Sequence, residues 1–420
     1  LDVRLEETSE FAANGAWRGA CKSTEQASDR VFEALAERYA ANPRDSGADS
    51  LLFFCALAPA SLGDVTHERV LVAMSGGVDS SVAAARLKAE GYEVVGVTLH
   101  LWDYPDDGSV RGRCCAPEDV HDARRVADRL GIPHYAFDRR ELFERTVVAP
   151  FVDAYVNGTT PSPCVRCNRG VKIPELLGLA RSLGAERVAT GHYARIVRVG
   201  ERYELHRARD RDKDQSYFLH MLGQEELARL VFPLGELDKA AVREEARRLE
   251  LPGADKGESQ ELCFVPTGRY DSFVAERAPE RVRPGPIVDE SGQSVGHHSG
   301  VHGFTLGQRK NLRVALGHRA YVVGIDAESA TVKLGGKEAL LAERALLAET
   351  SLAAGVTPPF ACDVLVRYRG GAHPARVRGN GSALELEFDS PVAAVVPGQF
   401  AVFVKGERVL GGGVIREAGR

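Results

Sequence analysis

From residue 67 onward the chain alternates short apolar runs with amphipathic stretches of helical period. VLVAM (Val70 to Met74) predicts a buried strand, SVAAARLKAEG a helix closed by Gly91, and EVVGVTLHLW a second buried strand. PEDVHDARRVADRLG then sets Val120, Ala123, Val126 or Ala127, and Leu130 on one helical face ahead of Gly131, and HYAFD predicts a further strand. Repeated β-α-β order specifies an α/β fold, a parallel sheet with helices on both faces, in which ligands sit beyond the C-terminal ends of the strands. After about residue 275 the helical period fades. RAYVVGIDAE, ATVKLGG, CDVLVRYRG, HPARVRG, ALELEFD and QFAVFVKGERVLGGGVI alternate or run apolar between Gly, Pro and Asp turns, which predicts a β-rich central module and a C-terminal β-barrel.

The pattern therefore divides the chain at 67–275, 276–340 and 341–420, behind an extension of unknown role at 1–66. Within the extension, STEQASDRVFEALAERYA predicts one helix, with Ala27, Val31, Leu35 and Tyr39 at four-residue steps behind Ser23 or Thr24. A chain of 420 residues has room for two or three buried cores. Its net charge of -5 argues against a uniformly basic coat but leaves room for a local basic face. Eight cysteines over this length fit no dense disulfide framework, so a reducing cytoplasm is expected. LLFFCALAPA, the most apolar run near the start, is too short to span a bilayer, and no membrane association is expected.

The first candidate chemistry lies where the first strand meets the first helix. SGGVDSS is a tight Gly-rich turn at the C-terminal end of a strand, and the unpaired N–H groups of the following helix make an anion site. It lacks the lysine of the G-x-x-x-x-G-K-[ST] loop. Ser75, Ser80 and Ser81 are candidate hydroxyl donors, and Asp79 either caps the helix or holds magnesium, with no stably bound metal expected elsewhere. The loop resembles that of the ATP pyrophosphatases, which implies that it grips departing pyrophosphate while chemistry proceeds at the α-phosphate.

Cysteines select the substrate. TPSPCVRCNRGVKI carries Cys164 and Cys167 at a spacing that admits half a zinc site, a redox pair, or one catalytic thiol beside an incidental one. GESQELCFVP carries Cys263, which alone would read as an apolar filler. Taken together, SGGVDSS, GHYARI, KDQSYFL, SQELCFV and GVHGFTLGQRKNL closely resemble the tRNA-specific 2-thiouridylases (MnmA/TrmU family), over roughly residues 67 to 420.

That resemblance implies a PP-loop ATP pyrophosphatase domain (adenine nucleotide alpha hydrolase-like) at 67–275, with ATP and Mg2+ as cofactors. It implies adenylation at C2 of the wobble uridine of Lys, Glu and Gln tRNAs and sulfur transfer from a cysteine persulfide, giving 2-thiouridine, AMP and pyrophosphate. Matched residue by residue, the nucleophile is Cys167 and the persulfide carrier Cys263. ATP contacts fall on Ala73, Met74, Ser75, Gly76, Gly77, Val78, Asp79 and Ser80, and on Leu99 and Gly191. The target base faces Ser162, Pro163 and Cys164, and tRNA meets Lys213, Asp214, Gln215, Arg367 and Tyr368. An upstream persulfide donor or relay protein is the further partner. Some family members carry an aspartate three residues before the nucleophile; Cys164 stands there in this chain, which puts a carboxylate proton-transfer role in doubt.

Two other classes compete. An amide-forming ligase of the GMP-synthetase kind shares the loop but needs an amide-donor site, for which the chain offers no candidate. A zinc-bound RNA module on Cys164 and Cys167 needs further metal ligands. From composition alone, HRARDRDKDQ reads as a solvated charged face.

Overall fold

The computed structural model describes residues 68–103, 117–254, 262–265, 268–312, 314, 316–380 and 383–419; the helix expected within the extension lies outside them. The three sheets belong to one compact unit of residues 67–180 and 185–420.

Strand β1 (Arg69–Ala73) leads into helix α1 (Val78–Ala89), β2 (Glu93–His100), α2 (Pro117–Leu130) and β3 (His134–Asp138). A helical stretch follows, in which the π turn Glu144–Val148 joins the turn Arg140–Phe143 to α3 (Ala149–Val156). A second stretch runs from α4 (Pro163–Cys167) through the π turn Asn168–Lys172 into α5 (Ile173–Ser182). Then come β4 (Arg187–Thr190), the hairpin of β5 (Ala194–Val199) and β6 (Arg202–Arg207), α6 (Gln224–Arg229), β7 (Leu230–Val231) and α7 (Lys239–Arg248).

Five of these strands pair in parallel in the order β3-β2-β1-β4-β7. Val70, Leu71 and Val72 of β1 are fully buried, because helices cover both faces of a parallel sheet. β1 has β2 on one side and β4 on the other, so the crossovers leave it in opposite directions and open a crevice beyond the carboxyl ends of β1 and β4. That crevice receives the SGGVDSS turn.

Beyond α8 (Tyr270–Arg277) lie β8 (Gly285–Val288), β9 (Ser294–His298), β10 (Tyr321–Asp326) and β11 (Thr331–Gly335), which form a separate four-stranded sheet in the order β10-β11-β8-β9. The last sheet contains β12 (Leu341–Leu352), β13 (Phe360–Leu365), β14 (Ala372–Asn380), β15 (Ala383–Ala393), β16 (Phe400–Lys405) and β17 (Arg408–Gly419). The pairing of β12 with β17 closes these six strands into the expected barrel. Along β15, Leu384, Leu386 and Phe388 point into its core and Glu387 points out, the period-2 alternation that ALELEFD displays.

One feature departs from the sequence pattern. The β5–β6 hairpin, inside the first domain by sequence, adds to the barrel sheet through Arg408 opposite His206. Arg207 N–H donates to the Glu407 carbonyl at 2.8 Å, and Arg408 pairs with Glu204 at 3.2 Å. The hairpin thus ties the nucleotide-type domain to the barrel.

Candidate active site

The SGGVDSS turn is held by its own side chains. Ser75 N–H donates to Ser80 Oγ at 3.1 Å, and the Ser80 and Ser81 hydroxyls both donate to the Gly77 carbonyl at 3.0 Å. These two hydroxyls therefore shape the loop instead of reaching outward. Gly77 is the N-cap of α1 and no side chain caps it, so the expected capping role of Asp79 is not what the structure gives that carboxylate. Asp79 instead turns to Lys239 Nζ, at 2.6 and 2.7 Å, and to the Tyr193 hydroxyl, which donates at 2.8 Å.

The two glycines have different reasons. Gly76 sits at φ 69°, and a Cβ there would lie 2.4 Å from the Asp119 carbonyl oxygen, so the loop can rest on the start of α2 only as glycine. Gly77 has an ordinary φ of -89°, and among the described residues a Cβ on it would meet nothing nearer than Ser75 Oγ at 3.5 Å. The described residues leave that space open, which fits close approach of an anion to the first N–H groups of α1.

Gly191, just past β4, closes the other side. Its added Cβ would fall 2.8 Å from Ser80 N and 3.0 Å from the Asp79 carbonyl carbon, so the TGHY segment lies directly on the loop backbone. Thr190 Oγ1 and His192 Nδ1 are 2.7 Å apart, and burial together with the charge of Lys172 pushes the His192 imidazole down to about 3. Ala73 ends β1, while Met74, Val78 and Leu99 are buried around the loop. Thr98 donates to the Met74 carbonyl at 2.7 Å, so the His134 Nε2 atom 2.8 Å away is the protonated nitrogen, donating to Thr98. Burial pushes His134 down to about 4, which keeps this relay neutral.

The cysteine segment approaches from the helical stretch of α4. Ser162 is its N-cap and Pro163 its first residue; both are buried, Cys164 is exposed and Cys167 is buried. The π turn Asn168–Lys172 follows at once, and Gly170 in it allows close contact with the other π turn, because a Cβ there would lie 2.7 Å from Thr146 Cγ2. Phe264, beside Cys263, packs edge-on against Phe143 at 5.7 Å and Phe151 at 5.0 Å. Both cysteines are therefore mounted on the helical stretch between Arg140 and Val156, one through Gly170 and one through Phe264. Asn168 Oδ1, next to Cys167, is buried and accepts no hydrogen bond among the described residues.

The barrel grips the start of this segment. Gln399 Nε2 donates to the carbonyls of Thr160 at 3.0 Å and Pro161 at 3.1 Å, and Thr160 N–H donates to the Pro397 carbonyl at 3.3 Å. Glu349 of β12 reaches Arg166 at 3.6 Å and Arg169 at 3.9 Å, on either side of Cys167.

A third region joins the charged segment to the β13–β14 turn. Arg207, Arg211, Lys213, Tyr217, Tyr368 and Arg369 line a cavity of about 480 Å³ together with Asp212 and Asp214. Tyr368 packs on Phe218 with ring centroids 4.4 Å apart, and the Arg369 guanidinium lies 5.3 Å from the Tyr368 ring. Arg367 is exposed beside this turn. Not every polar residue here faces outward. Asp214 is buried and accepts from Arg207 Nε at 2.9 Å, Ala208 N at 3.0 Å and Ser216 N at 3.1 Å. Gln215 exchanges two bonds with Tyr193: it accepts from Tyr193 N–H at 3.0 Å and donates its own N–H to the Tyr193 carbonyl at 2.8 Å. The charged run is thus half interior network and half surface.

Lys239, Tyr193 and Gln399 are not among the site residues expected from the sequence. Only Tyr193 had a local signal, its place in GHYARI. Among the described residues no group of three or more His, Cys, Asp or Glu is placed to hold a metal ion, so the zinc-module alternative finds no ligand set there. No helix among them is long and apolar enough to cross a membrane.

Sequence models of known families match this geometry in chain order. A tRNA methyl transferase HUP domain matches residues 68–267, a tRNA methyl transferase PRC-barrel domain 271–336, and an aminomethyltransferase beta-barrel domain 343–415. The tRNA-specific 2-thiouridylase MnmA of Sorangium cellulosum (strain So ce56) is 61% identical over 356 residues, covering 83% of this chain and 92% of that protein. The protein of the same name from Chloroflexus aggregans (strain MD-66 / DSM 9485) is 50% identical over 350 residues, covering 82% of this chain and 98% of its own. That from Geobacter metallireducens (strain ATCC 53774 / DSM 7210 / GS-15) is 47% identical over 359 residues, covering 84% and 98%. With the parallel sheet, the closed barrel and this extent of identity, the chain belongs to the tRNA-specific 2-thiouridylase family of tRNA sulfurtransferases.

Proposed function

We propose that the chain converts the wobble uridine of tRNA to 2-thiouridine in two steps that share one crevice. ATP binds with its phosphates on the 74–80 loop and the N-terminus of α1, and its nucleoside toward Leu99 and Gly191. The uridine C2 oxygen attacks the α-phosphate, pyrophosphate departs, and C2 then carries AMP as a leaving group. A single carboxylate, Asp79, fits magnesium, which takes one or two protein carboxylates alongside substrate phosphates; bound there, the ion would neutralise charge on the leaving group.

The terminal sulfur of a Cys263 persulfide attacks C2 and expels AMP, leaving Cys263 Sγ joined to the transferred sulfur. The Cys167 thiolate attacks Cys263 Sγ, the sulfur–sulfur bond breaks, and its electron pair leaves as the thiocarbonyl of 2-thiouridine. A Cys167–Cys263 disulfide remains, which a thiol reductant returns to two thiols before the next turnover. Ser162, Pro163 and Cys164 face the base, and Asn168 offers its unused acceptor. Lys213, Arg367 and Tyr368 meet tRNA directly, Tyr368 by stacking; Asp214 and Gln215 hold that surface in shape through Arg207 and Tyr193.

The observation that carries this reading is the link between the two half-sites. Asn168, next to Cys167, donates its side-chain amide to the Phe218 carbonyl at 3.4 Å; three residues earlier Gln215 accepts from Tyr193 N–H at 3.0 Å, and the Tyr193 hydroxyl donates to Asp79 of the loop at 2.8 Å. A sulfur site and a phosphate loop so placed suit a substrate activated by ATP and then thiolated. Mass spectrometry of wobble uridine in tRNA from cells lacking the gene tests it: absence of 2-thiouridine, restored by the gene, is expected. Unchanged 2-thiouridine would contradict it.

A further inference from the structure

The SGGVDSS turn contains no basic residue, yet any polyphosphate bound on it brings several negative charges. The fold supplies a cation from elsewhere in the chain. Helix α7 starts at its N-cap Asp238, whose side chain accepts from Ala241 N–H at 2.7 Å, and Lys239 is its first residue. A lysine is poorly suited to that position. It stands at the positive end of a helix dipole, and only 9% of its surface is exposed, although lysine side chains ordinarily reach water.

Several contacts hold it there. Lys239 N–H donates to Asp210 Oδ2 at 3.0 Å, while Val242 and Ala246 of the same helix pack against Val78, Val82 and Ala85 of α1. The ammonium group ends 2.6 and 2.7 Å from the Asp79 carboxylate and 5.7 Å from the Tyr193 ring centre. Asp79 lies in the first turn of α1, where the described residues leave open space beside Gly77 at the helix N-terminus. A buried cation is thus delivered by a rigid helix contact to the rim of the phosphate loop.

We infer that Lys239 is the phosphate-binding lysine of this site, supplied by α7 instead of by the loop, and that it contacts the departing pyrophosphate portion of ATP. Before ATP binds, Asp79 holds it in place; with Mg·ATP, the carboxylate serves the metal and the ammonium serves the phosphates. This rests on the ATP reading of the loop. Lys239 thereby does for a loop ending in V-D-S-S what the in-line lysine does in loops that end in G-K-[ST].

The competing possibility is a latch that merely fastens α7 to α1. Lys239→Gln separates the two, because glutamine still donates hydrogen bonds to Asp79 but carries no charge. Calorimetric titration of the full chain with Mg·ATP and with AMP is expected to show ATP affinity falling about tenfold or more in Lys239→Gln, with AMP affinity within about twofold of the parent. Lys239→Arg is expected to stay near the parent for both. Equal losses for ATP and AMP, or no loss, would overturn the inference in favour of a latch.

If the glutamine variant does not fold, the parent protein decides. An acyl-phosphate derivative of ATP acylates the lysine beside its terminal phosphates, and mass spectrometry is expected to find the label on Lys239. A label confined to other lysines would also overturn it. A parent that binds neither ATP nor the derivative would refute the ATP reading itself, whereas binding without dependence on Lys239 would refute only the role of this residue.

Discussion

Gln399, in the turn before β16 of the barrel, donates both of its amide hydrogens into the chain just ahead of Cys164, to Thr160 and Pro161. The barrel is therefore joined to the segment proposed to face the target base, and its position governs where that segment starts. Replacing Gln399 with alanine leaves two carbonyls short of a donor at about 1 kcal/mol each. Thiolation is expected to fall about tenfold with ATP affinity unchanged, measured by single-turnover tRNA thiolation alongside calorimetry. Unchanged thiolation would show that the grip on Thr160 has no part in the reaction.

Gly191→Ala tests the contact between TGHY and the loop. A methyl group placed 2.8 Å from a backbone nitrogen must displace backbone, an overpacking change of about 1–3 kcal/mol. ATP affinity is expected to drop at least tenfold, while tRNA affinity, measured by filter binding, stays the same. Parallel losses of both would mean that the substitution unfolds more than the loop.

Lys213 and Asp214 are sequence neighbours with opposite expected behaviour. Asp214→Ala removes one partner of a largely buried ion pair with Arg207 and is expected to cost about 3 kcal/mol in urea unfolding. Lys213→Ala is expected to leave unfolding unchanged and to reduce the slope of log tRNA affinity against log salt by about 1, as loss of one phosphate contact requires. The reverse assignment of effects would place the RNA surface elsewhere.

Histidine burial sets an acid limit. The folded chain holds His220 neutral down to about 4, because burial disfavours its charged form more than the bond to the Tyr217 carbonyl favours it. The unfolded chain takes up that proton near 6.5. The neutral His220 contributes fully to stability above pH 6.5, and the contribution is lost as pH falls from 6.5 toward 4, about 3 kcal/mol for this one residue. His134 and His192 act in the same direction. Urea midpoints are expected to fall steadily across that window, and less steeply in His220→Gln; a flat profile would contradict the burial argument.

The parts of the fold legible in sequence were those governed by local period. VLVAM, the alanine-rich helix and ALELEFD carry their burial pattern in a few adjacent residues, and SGGVDSS carries its turn. The β5–β6 hairpin was missed because the strand that completes its sheet, β17, begins at Arg408, far along the chain. HRARDRDKDQ looked like a solvated face because its charges alternate; folding instead sends Asp210 to the start of α7 and Asp214 to Arg207. Lys239 and Gln399 had no local signal either, since each acts on a loop that only tertiary packing brings near. For Asp79 the sequence left capping and magnesium binding open; the structure puts Gly77 at the N-cap and pairs the carboxylate with Lys239, a partner with no mark near the loop in sequence.

The most direct test of sulfur transfer by Cys167 and Cys263 is a single turnover of protein bearing a persulfide labelled with heavy sulfur, mixed with Mg·ATP and unmodified tRNA. Mass spectrometry then counts labelled 2-thiouridine, AMP and the Cys167–Cys263 disulfide. One of each per active site is expected, with none of the three in Cys263→Ser, and in Cys167→Ser neither the disulfide nor free 2-thiouridine, although both variants still bind ATP. Labelled 2-thiouridine formed at the parent rate by either variant, or without AMP release, would contradict the mechanism.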